Sequence, residues 1–282
     1  MLLIGLTGLS FEFGENPSWC NSFTNDDVRI AARYSILELN GFPKWFNSIH
    51  KRFPSEMSKV LIDELNLEYS QEDKNSHPKI LSSLMNSESE IKKVYVKTLL
   101  DLLVKSEPLS HNILRNTLEF LVSEDTCEDT LKKVEGIALH RIVQGLPEAH
   151  EITWLTILLY LNGSLGLKHL LFALESRPED SKKDFLIRLF SSFTTNGRGC
   201  LNIARKDHER IEVLQELLPL IYTYIRPEED NKRAGGGTYR PNSRDDAERS
   251  RSYLIGRLTE IPGRATYELL ISLAKLSDKD WF

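Results

Sequence analysis

Apolar residues recur at three- and four-residue spacing along most of the chain. Ile91, Val94, Tyr95, Leu99, Leu102 and Leu103 form one stripe, and Leu114, Leu118, Leu121 and Val122 the next. Ile211, Leu214, Leu218, Ile221 and Ile225 form a third, and Ala265, Leu269, Leu273 and Leu276 a fourth. Each follows the 3.6-residue period of a helix with one buried face. Alternating strand-like runs with hairpin dipeptides are missing, so the pattern predicts an all-α chain.

The boundaries carry matching chemistry. Thr24-Asn25-Asp26-Asp27 and Ser243-Arg244-Asp245-Asp246 each place a hydroxyl and then acids where a helix has free amide groups. The second of these should open a helix over 247–258. Pro43, Pro54, Pro78, Pro108, Pro147, Pro178 and Pro262 fall where helices should begin, because a first-turn N–H has no partner to lose. Pro219 lies inside the third stripe and should kink or split that helix. The spacing predicts helices of about 10 to 18 residues joined by short turns. That many helices, with no long crossover, point to an irregular HEAT- or armadillo-like α-solenoid of stacked helix pairs. The chain reads as a single helical-repeat domain over 1–282, with room for a sub-boundary near 70–80. Residues 226–242, RPEEDNKRAGGGTYRPN, break the pattern and read as an exposed loop at 226–243.

The most apolar stretch is Ile152 to Leu161, which resumes at Leu165 to Leu174. Joined, it approaches the length of a membrane span. Asn162-Gly163-Ser164-Leu165-Gly166 interrupts it, so two buried helices with a tight turn are expected, not a span. The N-terminal Met1-Leu2-Leu3-Ile4-Gly5-Leu6 has no basic residue before it and no small-residue cleavage pattern after it. An ordinary buried segment is expected there, in a cytoplasmic protein. With 36 basic against 41 acidic residues the net charge is −5, so no global field advertises a nucleic-acid partner. Three separated cysteines argue against a disulfide framework and against a zinc knuckle.

Candidate chemistry is thin. The seven histidines form no HExxH pair, and no metal or cofactor is expected. His140 and His169 sit on apolar helices and read as partly buried packing residues. Trp45, Phe46, Phe53 and Trp154 fall on apolar faces and read as core anchors. No GxSxG elbow is present, and Cys200 follows a glycine-rich turn with only Arg198 beside it. The specialised feature is the 226–246 loop. Consecutive glycines 235–237 can present amide groups to an anion, with Arg233, Arg240 and Arg244 close by, although the Walker spacing is missing. Arg226, Tyr239, Arg240 and Arg244 are the side chains best suited to anchor a partner there, since arginine and tyrosine favour binding hot spots. The alternative is a helical enzyme, or a binder of a phosphorylated ligand, with its site at 235–246 and Asp245, Asp246 and Arg244 in the working roles.

Two phrases carry a family resemblance. The first runs from Ala31-Ala32-Arg33-Tyr34 through Glu38-Leu39-Asn40-Gly41-Phe42-Pro43-Lys44-Trp45, with Phe53-Pro54 and Val60-Leu61 after it. The second joins Tyr224-Ile225-Arg226-Pro227-Glu228-Glu229-Asp230, Gly236-Gly237-Thr238-Tyr239-Arg240-Pro241, Arg244-Asp245-Asp246-Ala247-Glu248 and Ile261-Pro262-Gly263-Arg264-Ala265-Thr266-Tyr267-Glu268. Together they resemble the C-terminal helical region of large bacterial NACHT-type NTPases of the STAND class. Glu229 and Glu248 stand where that pattern has Asp and Gln. The resemblance frames residues 31–268 and supplies no catalytic residue. It implies a helical-repeat part without its nucleotide-binding core: a truncated copy, a split gene product or an excerpt. The implied role is a non-enzymatic sensor or scaffold in signalling or antiphage defence. Its partner would be a protein, or an NTPase region on a longer or separate chain.

Overall fold

A computed structural model describes residues 2–16, 18–38, 40–73, 76–193, 201, 203–230 and 241–277. Helix makes up 76% of the described residues, with fourteen α-helices and no strand among them. The expectation of an all-α chain holds. The chain divides into two compact units, Met1–Leu121 and Val122–Phe282.

The first unit holds α1 (Leu2–Glu15), α2 (Asn25–Ser35), α3 (Phe46–Arg52), α4 (Pro54–Tyr69), α5 (Lys79–Met85), α6 (Ser89–Lys105) and α7 (His111–Leu121). The segment 70–78 is a connection inside this unit. Helix α4 touches α2, α3, α5 and α6, and α5 touches α7. Trp45, Phe46, Ile49, Met57 and Leu61 are fully buried between them, whereas Phe53 is only half-buried. Thr24 caps α2 through a reciprocal box with Asp27, as the sequence predicts. The hydrogen bonds from Thr24 hold the Asp27 carboxyl below its ordinary range. Helix α5 begins after Pro78, which has no side-chain acceptor to cap it. Glu68 of α4 does that work instead: its carboxylate accepts the amides of Ile80 at 2.8 Å and Leu81 at 3.2 Å. Burial raises its pKa against the opposing pull of those amides.

The second unit holds α8 (Glu128–Ile142), α9 (Glu148–Leu161), α10 (Gly163–Glu175), α11 (Glu179–Ser192), α12 (Ile211–Tyr224), α13 (Ser243–Thr259) and α14 (Arg264–Leu276). Helix α9 is buried on every side from Ile152 to Leu161, with Trp154 and Tyr160 fully enclosed. Its neighbours are α8, α10 and α11. Beyond it, contacts run from α9 to α11 to α13 and from α10 to α12 to α14, and α12 also meets α11 and α13.

The tight turn expected between the two apolar helices is present and is a single residue, and two other sequence expectations need correction in this unit. Asn162 alone breaks the chain, accepts the Leu165 amide as an N-cap, and α10 starts at Gly163. The glycines serve packing. A Cβ on Gly166 would lie 2.6 Å from the Leu159 nitrogen, and one on Gly163 would lie 2.7 Å from the Asp207 carbonyl. Pro219 does not split α12, which runs unbroken through it. The carbonyl it leaves without a helix donor belongs to Gln215, at an exposed position. The buried pairs Leu217–Leu218 and Ile221–Tyr222 hold both sides of it in the core. The cap of α13 is Asn242 with Asp245, one residue earlier than Ser243 with Asp246, and the helix accordingly starts at Ser243. Asparagine caps as well as serine, and the earlier register buries Asp245 while leaving Asp246 free to meet Arg249 at 2.8 Å.

Of the two histidines expected to be partly buried, His169 is half-buried and His140 is exposed; the fully buried ones are His50, His150 and His208. His50 shares a 2.9 Å hydrogen bond with the Tyr95 hydroxyl. His208 packs against Tyr160 and Phe193, with centroids 4.1 and 5.4 Å away, and neither ring nitrogen has a hydrogen-bond partner among the described residues. Burial pushes its pKa down to about 4.

Candidate functional site

The loop singled out from sequence is anchored at both ends. After α12, Ile225 is buried, Pro227–Glu229 form a single 3-10 turn, and Asp230 follows. Residues 231–240 lie outside the described residues, and with them Tyr239, Arg240 and the glycine run 235–237. Cys200 lies outside them too. The chain returns at Pro241, and Asn242 caps α13 by accepting the amides of Arg244 at 2.8 Å and Asp245 at 3.3 Å.

Between those ends lies a paired charge cluster. Arg244 and Arg251 stand seven residues apart, two turns along one face of α13. Both reach Asp230. Arg251 donates to the Ile225 carbonyl at 2.7 Å and to Asp230 Oδ1 at 3.2 Å, with its second nitrogen on Asp230 Oδ2. Arg244 donates to the Arg226 carbonyl at 2.7 Å and lies 3.4 Å from Asp230 Oδ1 and 3.6 Å from Glu229. Arg251 is almost fully enclosed, with 6% of its side chain exposed, and its guanidinium sits over the Tyr222 ring at 5.8 Å. Burial drives the Tyr222 hydroxyl up to about 12. Glu228 accepts from Ser277 at 2.8 Å, and Glu229 also pairs with Lys183.

This geometry changes the roles of the nominated residues. Arg244 points inward and fastens the 226–230 turn to α13. Arg226 contributes its carbonyl to that fastening, while among the described residues its exposed side chain reaches only the Thr223 carbonyl, at 3.4 Å. Asp245 is fully buried in the capping box, its carboxylate accepting the Asn242 amide at 2.7 Å. Asp246 pairs with Arg249. The structure therefore brings Arg244 to Arg226 and sends both aspartates back to their own helix. No group of histidine, cysteine or carboxylate side chains suited to a metal ion occurs among the described residues.

A different surface was not singled out. Helix α10 carries Leu167, Leu171 and Phe172 along one side, and with Val213 of α12 they floor a groove of about 530 Å³. Phe172 is 69% exposed and Leu171 also reaches solvent, so the second of the two helices expected to be buried is covered only in part. The rim is charged: Glu175 and Lys168 on α10, Glu212 and Glu216 on α12. Glu212 has Arg210 at 3.7 Å. The sequence signal for this surface is an excess. Leu165, Leu167, Leu170, Leu171, Phe172 and Leu174 are too many apolar positions for one face of a thirteen-residue helix.

No helix among the described residues is long and apolar enough to cross a membrane. In comparison with known proteins, no family model, no curated protein and no solved structure matches the chain.

Proposed function

We propose that this chain is a non-catalytic helical interaction module, a sensor or scaffold that holds a protein partner in the α10–α12 groove. The observation behind this reading is the side of α10 that bears Leu171 and Phe172 open to solvent beside α12. Large apolar side chains grouped in a helix–helix groove are a recurrent mode of peptide and helix recognition. The contacts between alternate helices in the second unit support a HEAT-like stack of helix pairs, in which each helix meets the next one of its own layer. In a protein related to the STAND-type NTPases, such a stack would read a partner and pass the result to a nucleotide-binding region.

The alternative, an enzyme or phosphate site at 235–246, draws less support. Its best carboxylate, Asp245, serves as a cap, and Arg244 already faces Asp230 and Glu229.

Site-directed photocrosslinking tests the proposal. A benzophenone amino acid replaces Phe172 in one variant of the full chain and Val143, an equally exposed residue, in another. In the native cell, position 172 is expected to give a discrete adduct with one protein, and position 143 none. The same adduct from both positions, or none from 172, would overturn the assignment of the groove.

A further inference from the structure

We infer that the groove takes a basic amphipathic helix of about three turns, with an apolar stripe flanked by lysine or arginine. This inference rests on the reading of the groove as an interaction surface and adds the chemistry of its occupant. Length comes from α10. Its groove-lining positions run from Ser164 to Glu175, spaced i, i+3, i+4, i+7, i+8 and i+11 along one face. At 1.5 Å per residue that face is about 16 Å long, the length of three helical turns. Apolar character comes from Leu167, Leu171, Phe172 and Val213, spaced to receive side chains at i, i+3 or i+4, and i+7 of a docked helix.

Charge decides the sign. Three carboxylates, Glu175, Glu212 and Glu216, stand on the rim against one ammonium, Lys168. Arg210 compensates Glu212 in part, at 3.7 Å. Among the described residues Glu216 forms no ion pair, and Glu175 acts on the Lys182 ammonium without a direct ion pair. The excess negative charge therefore lies on the α12 bank, where Glu212 and Glu216 have only Arg210 beside them among the described residues, while Glu175 and Lys168 balance on α10. An acidic partner would bring like charges together at low dielectric, and a basic one neutralises them. The same rim repels the phosphate headgroups of a lipid surface.

The probe is a displayed library of helical peptides of about fourteen residues, with fixed leucines at i, i+4, i+7 and i+11 and flanks randomised between Lys, Glu and Gln. It is selected on the full chain. Phe172→Ala serves as a counter-target, since a side chain this exposed is removed without unfolding the helix, which circular dichroism checks. The expected outcome is enrichment of Lys-flanked peptides. Their affinity should fall about tenfold in the Glu212→Lys, Glu216→Lys double variant and weaken as salt rises. Enrichment of Glu- or Gln-flanked peptides that still need Phe172 would overturn the basic partner while leaving the groove as a binding surface. If no peptide depends on Phe172, the groove itself fails as a site. A concentration-dependent dimer of the chain, lost in Phe172→Glu, would overturn the inference by assigning the groove to a second copy.

Discussion

The loop stem at 226–246 and the α10–α12 groove lie in the same unit and reverse the expectations raised by their sequences. The stem is rich in arginine, glutamate and aspartate, the residue types that commonly meet partners. Arg244, with Arg251 further along α13, instead turns inward onto Asp230, and Asp245 and Asp246 cap or pair within their own helix. The segment containing α10 looks like pure core, yet Leu171 and Phe172 face out. The contrast teaches that residue type reports what a side chain can do, while its surroundings decide whether that capacity is already occupied. A buried charge must be paired at home. An apolar side chain on an outer face has nothing at home to cover it.

The contrast is most directly challenged at Asp230. Asp230→Ala would leave the enclosed Arg251 guanidinium without its carboxylate. The second unit is expected to lose about 3 kcal/mol, in the range for breaking a buried pair from one side. Urea unfolding followed by circular dichroism measures it. A loss below about 1 kcal/mol would mean that the stem is a surface feature, and Arg244 would again be a candidate for partner contact.

His208 sharpens the comparison because it is a buried polar group with no hydrogen-bond partner among the described residues. In the unfolded chain it takes up a proton near pH 6.5, and in the folded protein only near pH 4. Between those values the unfolded state binds more protons, so stability rises with pH and is lost on acidification. Desolvation dominates; Glu209 opposes it, while Lys206 and Arg257 add to it. The loss should approach about 3 kcal/mol by pH 4, at 1.36 kcal/mol per pH unit. In His208→Leu this part of the acid dependence should vanish. His50, also depressed by burial, contributes with the same sign from the first unit and remains. Urea midpoints at pH 4, 5, 6 and 7 for both proteins provide the check.

Gly166→Ala probes the wall behind the groove. The added methyl would meet the Leu159 backbone at 2.6 and 2.7 Å, which cannot give way as a side-chain tip would. A destabilisation of about 1–3 kcal/mol is expected, exceeding the gain in helix propensity. Gly136→Ala on α8, with nothing near the new methyl, should instead stabilise by about 0.5–1 kcal/mol. Thermal unfolding of the pair separates close packing from propensity.

The smallest effect is expected on the groove floor. Phe172→Ala should change stability by no more than about 0.5 kcal/mol, because little of the side chain is covered. A larger loss in the same denaturation assay would show that Phe172 packs in solution, and would remove the open groove.

Much of the helical framework was legible in the sequence, because its causes are local. A helix closes its hydrogen bonds four residues back, and its cap acts within one turn. Thus the four stripes mark α6, α7, α12 and α14, the Thr24 box caps α2, and Pro54, Pro147 and Pro178 mark helix starts. Even the misplaced cap at Ser243 missed by a single residue. The sites were not legible in the same way. Arg251 carries no local signal because its partners, Asp230 and Ile225, lie 21 and 26 residues away. His208 gives none because the rings that enclose it come from α9 and from the end of α11.

By itself, then, the sequence determined that this protein is helical, roughly where each helix begins, and which residues are apolar enough to be covered. Only the tertiary structure decided which of those faces are covered. Coverage depends on contacts such as Ser250 with the Phe190 carbonyl, 60 residues apart, or Arg205 with Glu135, 70 apart. No period of 3.6 residues encodes such distances. The stem closed because α13 brought two guanidiniums to one carboxylate. The groove stayed open because α12 covers only part of α10, leaving Leu171 and Phe172 facing solvent.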